Sequence, residues 1–308
     1  MRQKHEKEKS KGKWIKRFFV GGIFYLLLAL GLGLLLSPLL ESSIISNATR
    51  QFTSFAFTRE QLEENIGNAS YFEVEHDIAI PELPEILENL PKVNPGDVIG
   101  VISIERVGIF LPIFHGATKV NLLTGAGTMH YNQVMGEGNY PLAGHHMRDP
   151  SLLFGPLLEV NIGDLVQLSD RRNLYTYRVS TKGLVHENRV DILDDTEVPT
   201  VTLFTCDSST VATNYRFVVI GELIDVTSLD RVGITADGGM TISSEDRGNP
   251  YLVTFQVMNQ MSLSASRQDG IIMWVLKIAG ISLVILVLGM FLFLQIEKRY
   301  RHIYERSA

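Results

Sequence analysis

The sequence predicts an all-β domain, an eight-stranded β-barrel with short helices, flanked by two transmembrane helices. Three observations lead there. Long apolar runs lie near both ends of the 308-residue chain. Between them, from 97 to 224, short β-prone runs recur with glycine punctuation and long connections, the pattern of a closed barrel. The charge is also divided, basic at the two tails and acidic in the middle.

The first apolar run, 18–40, and the second, 271–295, are each long enough for a helix to cross a hydrocarbon core of about 30 Å. Lys277 lies near one end of the second, where its ammonium can reach the headgroups. Residues 1–17 carry Arg2, Lys4, Lys7, Lys9, Lys11, Lys13, Lys16 and Arg17; residues 296–308 carry Lys298, Arg299, Arg301 and Arg306. Basic flanks stay in the cytoplasm, so both tails are expected inside and the residues between the spans outside. The first span reads as an uncleaved anchor, because the nearest small-x-small site, Ser46-Asn47-Ala48, falls well past the apolar run. The formal charge of −6 hides a remainder of 16 basic and 30 acidic residues once the tails are set aside, Lys277 of the second span among them. That acidity argues against nucleic acid as a partner.

Residues 41–96 read as a stalk and lead-in, with a helix-like stretch at Thr58–Asn65 and prolines at 81, 84, 91 and 95 that favour extended or turn structure. In the barrel, 97–224, strands are expected at Val98–Ile104, Gly108–Phe114, Leu165–Leu168, Tyr175–Val179, Thr200–Thr205 and Tyr215–Leu223. Asn139–Gly144 leads to His145, and Val185–Pro199 is an acidic loop with local helix. Residues 225–270 lack strong periodicity and read as a flexible connector, in which Tyr251–Met261 fits either a helix or a strand.

Chemistry converges on Cys206, the sole cysteine. An internal disulfide needs two cysteines, so on the outer face this one is buried and inert, awaiting another molecule, or reactive. It ends the run Thr200-Val201-Thr202-Leu203-Phe204-Thr205, and Arg216 opens the next apolar run ten residues on. A thiol attacks as thiolate and needs a base or cation nearby. Of eight histidines, His5 and His302 lie in the tails; His145 and His146 follow Ala143-Gly144, where glycine permits a tight turn at a strand end. No metal-binding spacing accompanies them, and no cofactor is called for.

Leu142-Ala143-Gly144-His145, Thr202-Leu203-Phe204-Thr205-Cys206, and Arg216 with Val218 and Gly221 together resemble the sortases, cysteine transpeptidases of Gram-positive cell surfaces. The resemblance spans about Gly100 to Leu223 and, through Gly136-Glu137-Gly138-Asn139-Tyr140 and His145-His146-Met147, is most similar to class A, the housekeeping branch. It implies a sortase-like barrel with Cys206 as nucleophile, His145 as acid and base, and Arg216 holding substrate and stabilising the oxyanion. Thr205 would help bind the substrate backbone or complete the oxyanion hole. Ala143 and the 185–199 loop would receive the Leu-Pro part of a Leu-Pro-x-Thr-Gly sorting signal on a secreted protein. The acceptor would be the amine of a lipid II-type cell-wall precursor. Whether Cys206 and His145 rest as an ion pair or a neutral pair is open at this point. The second span departs from class A and is common in class C pilin polymerases, but the only Asp-Pro, Asp149-Pro150, follows His145 and precedes Ser151, unlike a class C lid. A class C role, and a noncatalytic surface-binding barrel, stand as the alternatives.

Overall fold

The computed structural model describes residues 40–52, 57–69, 71–74, 80–206, 214–235 and 238–264, with isolated positions at 27, 31, 38 and 295. The expected spans, 18–40 and 271–295, therefore lie almost wholly outside the described residues. Among those described, no helix is long and apolar enough to cross a membrane. Contacts divide the chain into Met1–Ile44 and Ile45–Ala308, and the barrel lies wholly within the second unit.

Eight strands among the described residues close into a barrel: β1 (Val98–Ile104), β2 (Ile109–Phe114), β3 (Ala126–Thr128), β4 (Asn139–Ala143), β5 (Leu165–Ser169), β6 (Asn173–His186), β7 (Thr200–Cys206) and β8 (Tyr215–Ser228). Around the wall the order is β1-β2-β3-β4-β7-β8-β6-β5, and β5 pairs back to β1. Two neighbouring pairs, β2 with β3 and β4 with β7, are parallel, and the rest are antiparallel. A parallel pair cannot be joined by a hairpin. β4 and β7 are accordingly separated by the β5–β6 excursion, which accounts for the long connections read in the sequence.

Every residue of β1 and β2 is buried, so both faces of these strands are covered. Alternation places Ile102 and Ile104 on one face of β1 and Val101 on the other. Val101 belongs to an apolar cluster with Phe110, Leu174, Leu229, Leu252, Phe255 and Met258. Here the structure departs from the flexible connector expected at 225–270. β8 continues to Ser228, a short ribbon of β9 (Gly233–Ile234) and β10 (Met240–Thr241) follows, and residues 250–264 are helical. Asn249 caps that helix, its Oδ1 accepting the Tyr251 amide at 2.9 Å. Gln167 Nε2 donates to the Tyr251 carbonyl at 2.9 Å, tying the helix to β5. The apolar stripe Leu252, Phe255, Met258 was blurred in the sequence by Val253 and Val257, which are apolar yet exposed on the helix's other face.

The lead-in holds the helix expected near Thr58–Asn65 and a second one where the prolines suggested extended or turn structure. A helix at Arg59–Gly67 begins with a capping box between Thr58 and Gln61, and its Leu62 packs with Phe52, Val93, Val98 and Phe114. A second helix, Leu83–Asn89, carries Pro84 in its first turn. Proline is tolerated there because that amide has no intrahelical acceptor. The prolines thus begin elements instead of preventing them.

Candidate active site

Parallel pairing of β4 and β7 sends both strands out of the same rim of the barrel. Ala143 stands opposite Phe204 in this register. One residue further, the Gly144 amide donates to the Phe204 carbonyl at 3.0 Å, and Thr205 Oγ1 donates to the Gly144 carbonyl at 2.9 Å. These bonds lock the chain leaving β4 against the end of β7, so His145 and Cys206 emerge side by side from adjacent strands. β8 runs antiparallel to β7 and sets Arg216 directly opposite Cys206. Three residues that span 71 positions of chain therefore come to one rim.

Gly144 is required by close packing. A Cβ there would lie 2.6 Å from both Cγ and Cδ2 of Phe154. Phe154 is fully buried, and its amide donates to the His145 carbonyl at 3.0 Å. Beside it Leu153 has φ +51°, an uncommon conformation for a non-glycine residue, and pairs with His146 in an isolated β-bridge. The backbone of His145-His146 is thus braced on one side by β7 and on the other by residues 153–154.

The two histidines differ in environment and contacts. His146 Nδ1 lies 3.3 Å from the Cys206 carbonyl, so the ring braces the backbone of Cys206 when that nitrogen carries the proton. His145 is 4% exposed, and burial pushes its pKa from 6.5 down to about 4, only partly opposed by the carboxylate of Glu85. His145 is therefore neutral at neutral pH. Its Nδ1 is buried without a hydrogen-bond partner among the described residues. Cys206 is partly exposed at the strand end.

Arg216 is mostly covered, its side chain 18% exposed, and its Nη2 donates to Glu187 Oε2 at 3.1 Å. Glu187 directly follows β6, and its amide donates to the Asn214 carbonyl at 2.7 Å. Thr205 is buried, with its hydroxyl committed to Gly144. Ala143 is 1% exposed and packs with Ala117 and Leu122, so its methyl lies beneath the rim instead of on its surface. The 187–199 connection holds a short 3-10 helix, Val190–Leu193, and presents Val190 and Val198 to solvent. The polar loop 207–213 after Cys206 lies outside the described residues.

Sequence reasoning missed Glu85 and Glu187. Glu85 sits on the helix Leu83–Asn89, just after Glu82, which pairs with Arg148; Glu85 itself pairs with Lys119. This brings a carboxylate close enough to act on His145 across 60 residues of chain. Glu187 lacked a signal because the β-propensity of residues 180–186, rich in Ser, Lys, Gly and His, understates the length of β6. Among the described residues no group of three or more His, Cys, Asp or Glu is placed to hold a metal ion.

A small barrel that delivers a cysteine, a buried neutral histidine and an arginine to one rim has the constellation of a thiol acyl-transfer enzyme. The sortase-domain family model matches residues 102–224. Sortase A of Listeria monocytogenes is 37% identical over 201 residues, covering 65% of this chain and 90% of that protein. Sortase A of Bacillus anthracis is 38% identical over 144 residues, covering 47% of this chain and 67% of that protein. The crystal structure of Listeria monocytogenes sortase A matches with 46% identity and a TM-score of 0.43, covering 44% of this chain and 92% of that one. The chain belongs to the sortase family of cysteine transpeptidases.

Proposed function

We propose that this protein is a membrane-anchored, housekeeping-type sortase that cleaves a Leu-Pro-x-Thr-Gly sorting signal between Thr and Gly. It then passes the protein to the amine of a lipid II-type cell-wall precursor. The observation that carries this reading is the strand register: β4–β7 pairing brings the buried His145 next to Cys206, and β7–β8 pairing sets Arg216 opposite Cys206. The naming of both cited relatives as sortase A favours the housekeeping branch over a pilin polymerase.

A neutral imidazole begins as a base. His145 takes the Cys206 proton as sulfur attacks the Thr carbonyl, and the carbonyl electrons move onto oxygen. Arg216, whose planar guanidinium presents fixed donors, faces the oxyanion. Collapse breaks the Thr–Gly bond; the Gly nitrogen leaves with the proton from His145, and a thioester to Cys206 remains. The incoming amine attacks that thioester, gives its proton to His145, and releases the Cys206 sulfur, which recovers the proton. For Arg216 to face substrate it must share or leave Glu187, so peptide binding and the position of the 187–199 connection are linked. The exposed Val190 and Val198 of that connection offer apolar surface for the Leu-Pro part.

The layout follows from the same reading: a cytoplasmic tail at 1–17, a span at 18–40, an outward catalytic region, a second span at 271–295 and a cytoplasmic tail at 296–308. The test uses the full chain in detergent with a Leu-Pro-x-Thr-Gly peptide and an amine acceptor. Mass spectrometry should find an acyl adduct on Cys206, and Cys206→Ala, His145→Ala and Arg216→Ala should each abolish transfer while the barrel stays folded. Undiminished cleavage by Cys206→Ala would refute the mechanism.

A further inference from the structure

The connection between β6 and β7 is fastened to the start of β4 by a group of hydrogen bonds centred on the buried side chain of Asn139. Asn139, the first residue of β4, is 7% exposed. Its Nδ2 donates to the carbonyls of Ile192 and Asp194, both at 3.0 Å. Those carbonyls flank the C-terminal end of the 3-10 helix Val190–Leu193, where carbonyl groups lack helical partners. Asn139 Oδ1 meanwhile accepts from Thr202 Oγ1 at 2.7 Å, which orients the amide by tying its other end to β7. The fastening is reciprocal. Asp195 Oδ1 accepts the Asn139 backbone amide at 2.9 Å, and Gly138 makes room for it, since a Cβ there would fall 1.8 Å from that oxygen. His130 Nε2 lies 3.0 Å from the Leu193 carbonyl, so three consecutive carbonyls, 192 to 194, are taken up from the β4 side of the molecule.

We propose that Asn139 is a positioning residue for peptide recognition: it sets the height of the 190–195 turn over the barrel and thereby the shape of the surface that receives the sorting signal. This rests on the proposed binding of the Leu-Pro part by the 187–199 connection. The connection meets the catalytic rim through Glu187, which pairs with Arg216, while its far half has few apolar anchors: Val190 and Val198 are exposed and Ile192 and Leu193 only partly covered. Hydrogen bonds from one amide therefore do the work that a hydrophobic core would do elsewhere. Asn139 lies six residues before His145 at the opposite end of β4, so it does not reach the reacting atoms. Its loss should weaken peptide binding and leave the chemical step intact.

The experiment compares the full-length wild type in detergent with Asn139→Asp and Asp195→Asn. The first replaces both donors by a carboxylate facing two carbonyls. The second weakens the same clamp from an exposed position, exchanging a charged acceptor for a neutral one. With a Leu-Pro-x-Thr-Gly peptide, Asn139→Asp should raise KM roughly tenfold or more, the scale expected from two lost buried hydrogen bonds, with kcat within about twofold. Asp195→Asn should move KM the same way by less. The rate of Cys206 alkylation by iodoacetamide should match wild type, and hydrogen exchange should speed up at 190–195 but not at 140–143. A fall in kcat and alkylation at unchanged KM would reduce Asn139 to a structural residue and overturn the proposal. So would unchanged KM with the 190–195 amides deprotected. If wild-type enzyme leaves the peptide intact, the choice of sorting signal fails instead, and unaltered exchange at 190–195 in both variants would still overturn the clamp.

Discussion

Acidification should destabilise this protein through His145 by an amount that the structure sets. An unfolded chain binds a proton at this histidine as the pH drops below its ordinary 6.5, whereas the folded chain resists until about 4 because the ring is buried. Stability from the neutral ring is thus complete above about pH 7 and is lost as the pH falls from 6.5 towards 4. The gap between those two values, at about 1.36 kcal/mol per pH unit, amounts to about 3 kcal/mol. Other groups of the chain also gain protons on acidification, so wild type must be compared with His145→Gln, which keeps a polar side chain that does not ionise. Trp14 and Trp274 both lie outside the barrel, which makes tryptophan fluorescence a poor probe of its unfolding. Denaturant titration read by far-UV circular dichroism or pulse proteolysis, from pH 8 to 4, would serve. The wild-type advantage over His145→Gln should be constant above pH 7 and shrink by about 3 kcal/mol by pH 4. A constant difference would refute the buried neutral ring. A difference that grows on acidification would mean that Glu85 holds an imidazolium, the opposite assignment.

Two further outcomes test the packing beneath the site and behind it. Gly144→Ala forces a methyl against Phe154 and should cost about 1–3 kcal/mol of stability while slowing acyl transfer, since the shift passes directly into His145; a Tm and kcat both equal to wild type would show that the contact has slack. Phe255→Ala removes a fully buried ring from the cluster on the outer face of β1 and should cost about 3–5 kcal/mol by denaturant titration, whereas a true linker would lose nothing.

The strands were readable wherever β-branched residues dominated a short run, as in Val98–Ile104 and Thr200–Phe204, because such runs are covered on both faces. β6 and β8 each extend to 14 residues, well beyond their apolar middles. Their outer portions pair with one another in a solvated ribbon, where hydrogen bonding continues without an apolar pattern. Glu187 and Glu85 left no local trace, and Asn139 stood in a recognisable motif with its role hidden, for the same kind of reason: each acts on a partner distant in the chain through polar contacts.

The cysteine at a β-strand end, the Ala-Gly-His turn and the arginine ten residues on were all present in the linear chain, since each depends on a few adjacent residues. That local record identified Cys206, His145 and Arg216 as the group to bring together. Only the tertiary structure decided how they meet, through a parallel β4–β7 pair that no hairpin signal announces, and only burial decided that His145 rests neutral. Burial and strand order are properties of the closed barrel as a whole, because each depends on what the rest of the chain places on the far side of a residue.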